Sequence, residues 1–232
     1  FMLICNETVA ENCFWQEIPF IYRNHEAPDD EKIKKLNMFL AKLGYRIKGK
    51  GELHPKAIAQ LLNKASGTLE EHIISRIVLR SMKQAKYMAE NTGHFGLASK
   101  YYCHFTSPIR RYPDLEIHRI IKMGLNGKLT EKNEQRLNKA LPDIAKLCSM
   151  RERTADEAER DTDKLKMAQF MEDKIGCVYD GVISGITGWG IYVELANTVE
   201  GMVPVAELKD DYYVYDEESL TLTGESTKKQ YR

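Results

Sequence analysis

No stretch of this 232-residue sequence approaches the roughly 18–20 consecutive apolar residues that a membrane-crossing helix requires, so a membrane partner is not expected. The first residues, Phe1-Met2-Leu3-Ile4-Cys5, are apolar. They lack both a preceding basic region and a following small-residue cleavage site, and so do not read as a signal peptide. They read as a helix already under way, as if cut from a longer chain. Cysteine is sparse and unpatterned: Cys5, Cys13, Cys103, Cys148 and Cys177 are odd in number and form no Cys-x-x-Cys pair. That argues against a structural zinc site and for buried, reduced thiols in a cytoplasmic protein. There is no excess of either charge, since 34 Lys and Arg balance 34 Asp and Glu. A protein that coats nucleic acid by charge alone is therefore not expected, although a local basic channel remains open. There is no internal repeat and no low-complexity tract.

What is present is mostly helical. Phe1, Cys5, Val9 and Cys13 recur at helical spacing, and Ile18–Arg23 follows as a short strand. Asp29-Asp30 opens a helix with the stripe Ile33, Leu36, Phe39, Leu40 and Leu43, closed by Gly44. Pro55 suits the first turn of a helix to about Ala65. Thr68 and Glu71 have the spacing of a capping box before Ile73, Ile74, Ile77 and Val78. Residues 86–112 lose this periodicity and are rich in Gly, Tyr, His and Ser, as expected of loops and short strands that build a site. Pro113 starts another helix, ended by Gly124 and Gly127. A charged helical stretch begins near Thr130. Pro142 is expected to divide it, leaving a helix of roughly 45–50 Å from Pro142 to about Lys174. From Ile175 short β-type runs alternate with glycine-rich turns, suggesting a second, small all-β domain of two or three strands ending in a polar segment.

Within the aperiodic region lies the string His94-Phe95-Gly96-Leu97, Tyr102, Thr106-Ser107-Pro108-Ile109-Arg110-Arg111-Tyr112-Pro113-Asp114, then His118-Arg119. Two adjacent arginines at a proline-bounded turn, followed by a helix N-terminus, suit a phosphate. A guanidinium pairs with it in a two-pronged way, and helix-end amides point at it. A surface turn carrying a solvated arginine pair has the same residue types.

The whole string, together with Asn6-Glu7-Thr8-Val9-Ala10, resembles the end of the catalytic domain in the ribonuclease II and ribonuclease R family. That family threads RNA 3′ end first into a channel, where metal-bound water releases nucleoside monophosphates. The resemblance implies that Arg110 is catalytic, holding the scissile phosphate and stabilising transition-state charge. It implies RNA contacts by Arg111 and Tyr112, with His94 and Tyr102 shaping the site by packing. Ala158-Glu159-Arg160-Asp161 resembles the family's acidic motif, which implies a contact of Glu159 with the 3′-terminal nucleotide. An ion-paired helix surface is the other reading of that segment.

The family's two-metal hydrolysis relies on closely spaced aspartates that hold Mg²⁺, and no such string occurs here. Asp29-Asp30 reads as a cap, and Asp210-Asp211 falls in the β region. The resemblance thus implies Mg²⁺ in a longer protein, none held by this chain, and no hydrolysis by the chain alone. Gly188–Leu195 with Glu200–Val205 resembles the S1 RNA-binding barrel, which implies base stacking on Trp189 and Tyr192. Their spacing of three puts them on opposite faces of a regular strand, unless Gly190 introduces a bulge or strong twist. Pro204 stands where many such barrels carry histidine, and Asp210–Tyr213 resembles the ribonuclease R branch of the family.

The fold class expected is α+β. Residues 1–174 form the largely helical C-terminal part of the catalytic domain, including the long connecting helix, and 175–232 form an incomplete OB-fold barrel. The expected partner is single-stranded RNA. A non-catalytic RNA-binding module is the alternative reading, and a helical interaction protein without an RNA role is a third.

Overall fold

The computed structural model describes residues 1–47, 53–68, 70–217, 219 and 221–231. The chain divides into two compact units, Phe1–Ala158 and Glu159–Arg232, and each is described by itself.

The first unit has two separate cores. One lies beneath α1 (Met2–Trp15), the strand pair β1 (Tyr22–Asn24) and β2 (Lys86–Met88), α5 (Tyr112–Leu125) and the first half of α6 (Glu131–Met171). Its buried members include Phe20, Ile21, Tyr22, Tyr87, Ile117, Ile120 and Leu141. The second core belongs to α2 (Asp30–Lys42), α3 (Pro55–Ala65) and α4 (Glu71–Ser81), and is made by Leu36, Leu40, Ile58, Leu61, Ile74 and Val78. These three helices lie between β1 and β2 in sequence, and the two strands pair antiparallel with Arg23 opposite Tyr87.

Several local expectations are met. Pro55 opens α3, Gly44 adopts a left-handed φ of 78° after α2, and a proline lies in the first turn of α5. Others are corrected. The inner face of α1 is Asn6, Ala10 and Cys13, so of the expected stripe Cys13 is buried, Cys5 and Val9 are partly buried, and Phe1 is fully exposed. The capping box does not form: the Thr68 hydroxyl donates to Ala65 O and the Glu71 carboxylate accepts from Gly67 N–H. Asp29 is the N-cap of α2 by position only, because its carboxylate pairs with Lys83 at 2.7 Å.

The largest correction is α6, which runs unbroken for 41 residues through Pro142, about 60 Å at ~1.5 Å per residue. Pro142 removes one backbone donor and crowds the preceding turn. The helix continues because Leu141 and Ala145 on either side are fully or almost fully buried in the first core. Packing outweighs a local penalty of roughly 3 kcal/mol. Among the described residues no helix is long and apolar enough to cross a membrane. All five cysteines are free, and Cys177 is exposed rather than buried.

In the second unit the end of α6 is followed, among the described residues, by six short strands rather than two or three. β3 (Gly181–Thr187), β4 (Gly190–Leu195) and β5 (Glu200–Pro204) form one antiparallel sheet, and β6 (Tyr213–Asp216), β7 (Thr221–Gly224) and β8 (Gln230–Tyr231) another. Ile191, Tyr213 and Leu222 form its core. The last three strands have at most four residues each, too short for alternation to stand out from the polar residues around them. The class is α+β, helical first and then antiparallel β in the manner of an OB fold.

Candidate nucleic-acid interface

The turn preceding α5 is tied by one buried carboxylate. Asp114 is fully buried. Its Oδ1 accepts from Ser107 N–H and from Arg111 Nη2, each at 2.8 Å, and its Oδ2 accepts from Arg111 Nε at 2.9 Å. The Ser107 carbonyl in turn accepts from the backbone N–H groups of Arg110 and Arg111. A carboxylate gains most from charged and backbone donors of this kind. The two arginines consequently differ. Arg111 is largely buried against Asp114, with its side chain 19% exposed. Arg110 is exposed, and among the described residues its side chain has no ion pair or hydrogen bond. Beside it, Ile109 is fully exposed.

The floor behind this turn is set by residues far away in sequence. Asn6, buried on α1, donates to the Tyr102 hydroxyl at 3.2 Å and accepts from Phe105 N–H at 3.1 Å, and its carbonyl accepts from the Cys103 thiol. His118 stacks on Phe105 with ring centroids 4.0 Å apart, and its Nε2 bonds the Phe105 carbonyl. The acceptor there is a carbonyl, so Nε2 carries the proton. Asn6 and His118 act as positioning groups. No local signal marks Asn6, because Glu7, Thr8, Glu11 and Asn12 on the same helix are polar too.

His94 packs edge-on against Tyr102 and His25 at 5.2 and 5.1 Å. Burial pulls its pKa down to about 4, and its neutral Nδ1 accepts from Leu97 N–H. His25 Nδ1 accepts from Gly96 N–H at 2.9 Å. A Cβ on Gly96 would come within 2.8 Å of that nitrogen, so the contact requires glycine. His104 is pulled down to about 3, chiefly by burial and then by the Arg111 and Arg23 guanidiniums. Its Nδ1 lies 2.8 Å from the Tyr87 hydroxyl. Burial raises the Tyr87 phenol, so the phenol donates and the imidazole accepts. Arg23 covers the Tyr87 ring at 4.6 Å and pairs with Glu152 at 2.6 Å. His94 and Tyr102 thus pack and orient.

Tyr112 is half exposed, donates to Glu116 at 3.3 Å, and has its pKa raised by burial and by Glu116. Glu116 also accepts from Arg119 at 3.0 Å. Among the described residues no group of three or more His, Cys, Asp or Glu side chains could hold a metal ion. The buried carboxylates Asp114 and Glu116 each face an arginine instead.

In the second unit, Glu159 is an exposed residue of α6. Trp189 is exposed and lies on the turn before β4, not in the strand. Its indole N–H donates to the Tyr192 hydroxyl at 3.2 Å, so the two rings share one side. Gly190 introduces no bulge: it pairs in register with Thr187 and Pro204. The register slips instead on β3, between Ile183 and Gly185. Gly190 is needed for a close approach, because a Cβ there would meet Val203 O and the Met202 side chain within 3 Å.

Comparison with known proteins matches two stretches of this chain. The RNB domain family model matches residues 1–127, and the S1 RNA binding domain model matches residues 172–230. The chain is 44% identical over 226 residues to Ribonuclease R 1 of Lactococcus lactis, covering 97% of the chain and 28% of that relative. It is 45% identical over 235 residues to Ribonuclease R of Thermotoga maritima, covering 100% of the chain and 33% of that relative. In structure it is similar to Mycoplasma genitalium RNase R solved in complex with ribose methylated single-stranded RNA. That match has a TM-score of 0.92 at 30% identity, covering 100% of this chain and 37% of that one. The chain therefore spans about a third of the length of the curated relatives it matches.

Proposed function

This chain belongs to the RNB domain family, and from that premise we propose that it is part of a longer, processive 3′→5′ exoribonuclease of the ribonuclease R type. That enzyme hydrolyses single-stranded RNA to nucleoside 5′-monophosphates in cytoplasmic RNA decay. Residues 1–174 supply the C-terminal portion of its catalytic domain, and 175–232 supply an S1-type RNA-binding barrel. The observation that carries the reading is Arg110: an exposed guanidinium with no protein partner among the described residues, held on a turn whose other arginine is closed against a buried carboxylate. A free guanidinium is suited to two-pronged contact with phosphate.

In this reading Arg110 grips the scissile phosphate and stabilises charge developing on it. Tyr112 flanks the strand, Glu159 contacts the 3′-terminal nucleotide, and Trp189 and Tyr192 stack bases. The relatives' names and the S1 match support RNA as the partner. Hydrolysis in such an enzyme draws on Mg²⁺ to activate water. This chain's residues do not fit that ion, because its buried carboxylates face arginines and the described residues offer no cluster. The ion would be held by other residues of the longer enzyme.

The test is Arg110→Ala in the full-length enzyme. Turnover should fall about 100-fold or more, as for loss of one transition-state donor. Affinity for RNA should change far less, because many other contacts hold the strand. Equal losses would make Arg110 a general RNA contact. A full-length protein that binds RNA without Mg²⁺-dependent hydrolysis would favour the non-catalytic module.

A further inference from the structure

The arginine pair divides its labour. We infer that Asp114 is a positioning residue which, through Arg111 and the Ser107 amide, aims Arg110 at the RNA phosphate, and that Arg111 is a clamp rather than an RNA contact. The inference rests on the site reading above and assigns roles within it.

Asp114 is fully buried, and three donors converge on its carboxylate: Ser107 N–H, Arg111 Nε and Arg111 Nη2. A buried carboxylate is tolerable only when satisfied in this way. The donors come from both ends of the short turn 107–111, and Asp114 itself sits in the first turn of α5. The turn is closed a second time by the Ser107 carbonyl, which accepts from the backbone N–H groups of Arg110 and Arg111. Arg110 therefore lies inside a loop fixed at both ends to the helix, while its own side chain binds nothing among the described residues. Its direction is set by backbone that Asp114 holds. Replacing Asp114 frees the Ser107 amide and leaves the largely buried Arg111 cation without its partner. The turn relaxes, and Arg110 loses its aim. Misplacement of a charge-stabilising group by about 1 Å costs on the order of 100-fold in rate.

The test is a double-mutant cycle in the full-length enzyme, measuring kcat and KM on single-stranded oligoadenylate together with the thermal midpoint of each variant. Asp114→Asn keeps the shape and removes the charge. It should lower kcat about 10- to 100-fold with KM nearly unchanged. In the Arg110→Ala background the same substitution should cost no more than about twofold further, because a residue acting through another has nothing left to act on. Arg111→Gln should behave in the same way, and decides the matter if Asp114→Asn does not fold. Restoring a cation with Arg111→Lys should recover part of the lost turnover. Losses that multiply across the cycle would overturn the inference, as would a raised KM with kcat intact. If Arg110→Ala alone leaves turnover unchanged, the reading of the site fails first, and that result is distinct from a cycle that multiplies.

Discussion

Trp189 donates its indole N–H to the hydroxyl of Tyr192 at 3.2 Å, which brings together two aromatic rings that strand periodicity alone would separate. The separation is avoided because Trp189 sits on the turn and only Tyr192 is in β4. An exposed indole beside a half-buried phenol, with a polar tie between them, suits the base stacking proposed for this pair.

Alanine at either ring should therefore weaken binding of single-stranded RNA by about 1–3 kcal/mol with little sequence dependence. Tyr192→Phe, which keeps the ring and loses the hydrogen bond, should cost less. Trp189→Ala should leave the thermal midpoint nearly unchanged, because the side chain is 67% exposed. Titration of fluorescent oligonucleotide against each variant, with thermal unfolding of the same samples, checks both statements. Unchanged affinity in two folded variants would exclude the platform.

A pH dependence follows from the two buried imidazoles. His94 and His104 are held down to about 4 and about 3 by burial, whereas an unfolded histidine titrates near ~6.5. As pH falls through about 6.5 the unfolded chain takes up protons that the folded chain does not, so stability declines from there toward about 4. Above about 6.5 both states carry neutral imidazoles, and these groups contribute no slope. Thermal midpoints measured across this window should fall more steeply for the native chain than for His104→Gln. Carboxylates held down by lysines, as Glu26 is, or by the Thr227 hydroxyl and then neighbouring backbone N–H groups, as Asp211 is, add their own loss only at lower pH. Equal slopes in the two proteins above about pH 5 would contradict the assignment.

Pro142 offers a test of why α6 is continuous. Pro142→Ala restores a backbone donor and removes ring crowding, and the exposed position has room for the change. Stability should rise by about 1–3 kcal/mol in urea unfolding. A loss would mean that the ring itself packs usefully beside β2.

The sequence carried more of the site than of its supports. The glycine, proline and arginine pattern from His94 to Arg119 located the exposed turn, because glycine and proline fix local backbone whatever surrounds them. The resemblance sets Arg110 apart as catalytic, but nothing in the sequence shows that Arg111 closes against Asp114 while Arg110 stays exposed. That distinction depends on Asp114 being buried, and burial is a tertiary fact. Asn6 was invisible for the same reason: its partners Tyr102, Cys103 and Phe105 lie about a hundred residues away. The expected break at Pro142 followed local propensity, which packing of Leu141 and Ala145 overrides. The Thr68–Glu71 pair had the spacing of a cap, but both side chains turned back to the end of α3. β6 to β8 leave no periodic signal, because two to four residues are too few to display a period.

The central claim is that this chain holds RNA by Arg110 and the Trp189–Tyr192 pair while the hydrolytic metal site belongs to other residues of a longer enzyme. The most direct measurement is digestion of uniformly labelled single-stranded RNA with Mg²⁺, alongside a binding titration with the same RNA, comparing the purified chain with the full-length enzyme. The expected result is RNA binding without nucleoside monophosphate release by the chain, and stepwise release by the full-length enzyme. Mg²⁺-dependent release by the purified chain, abolished by Arg110→Ala, would contradict it.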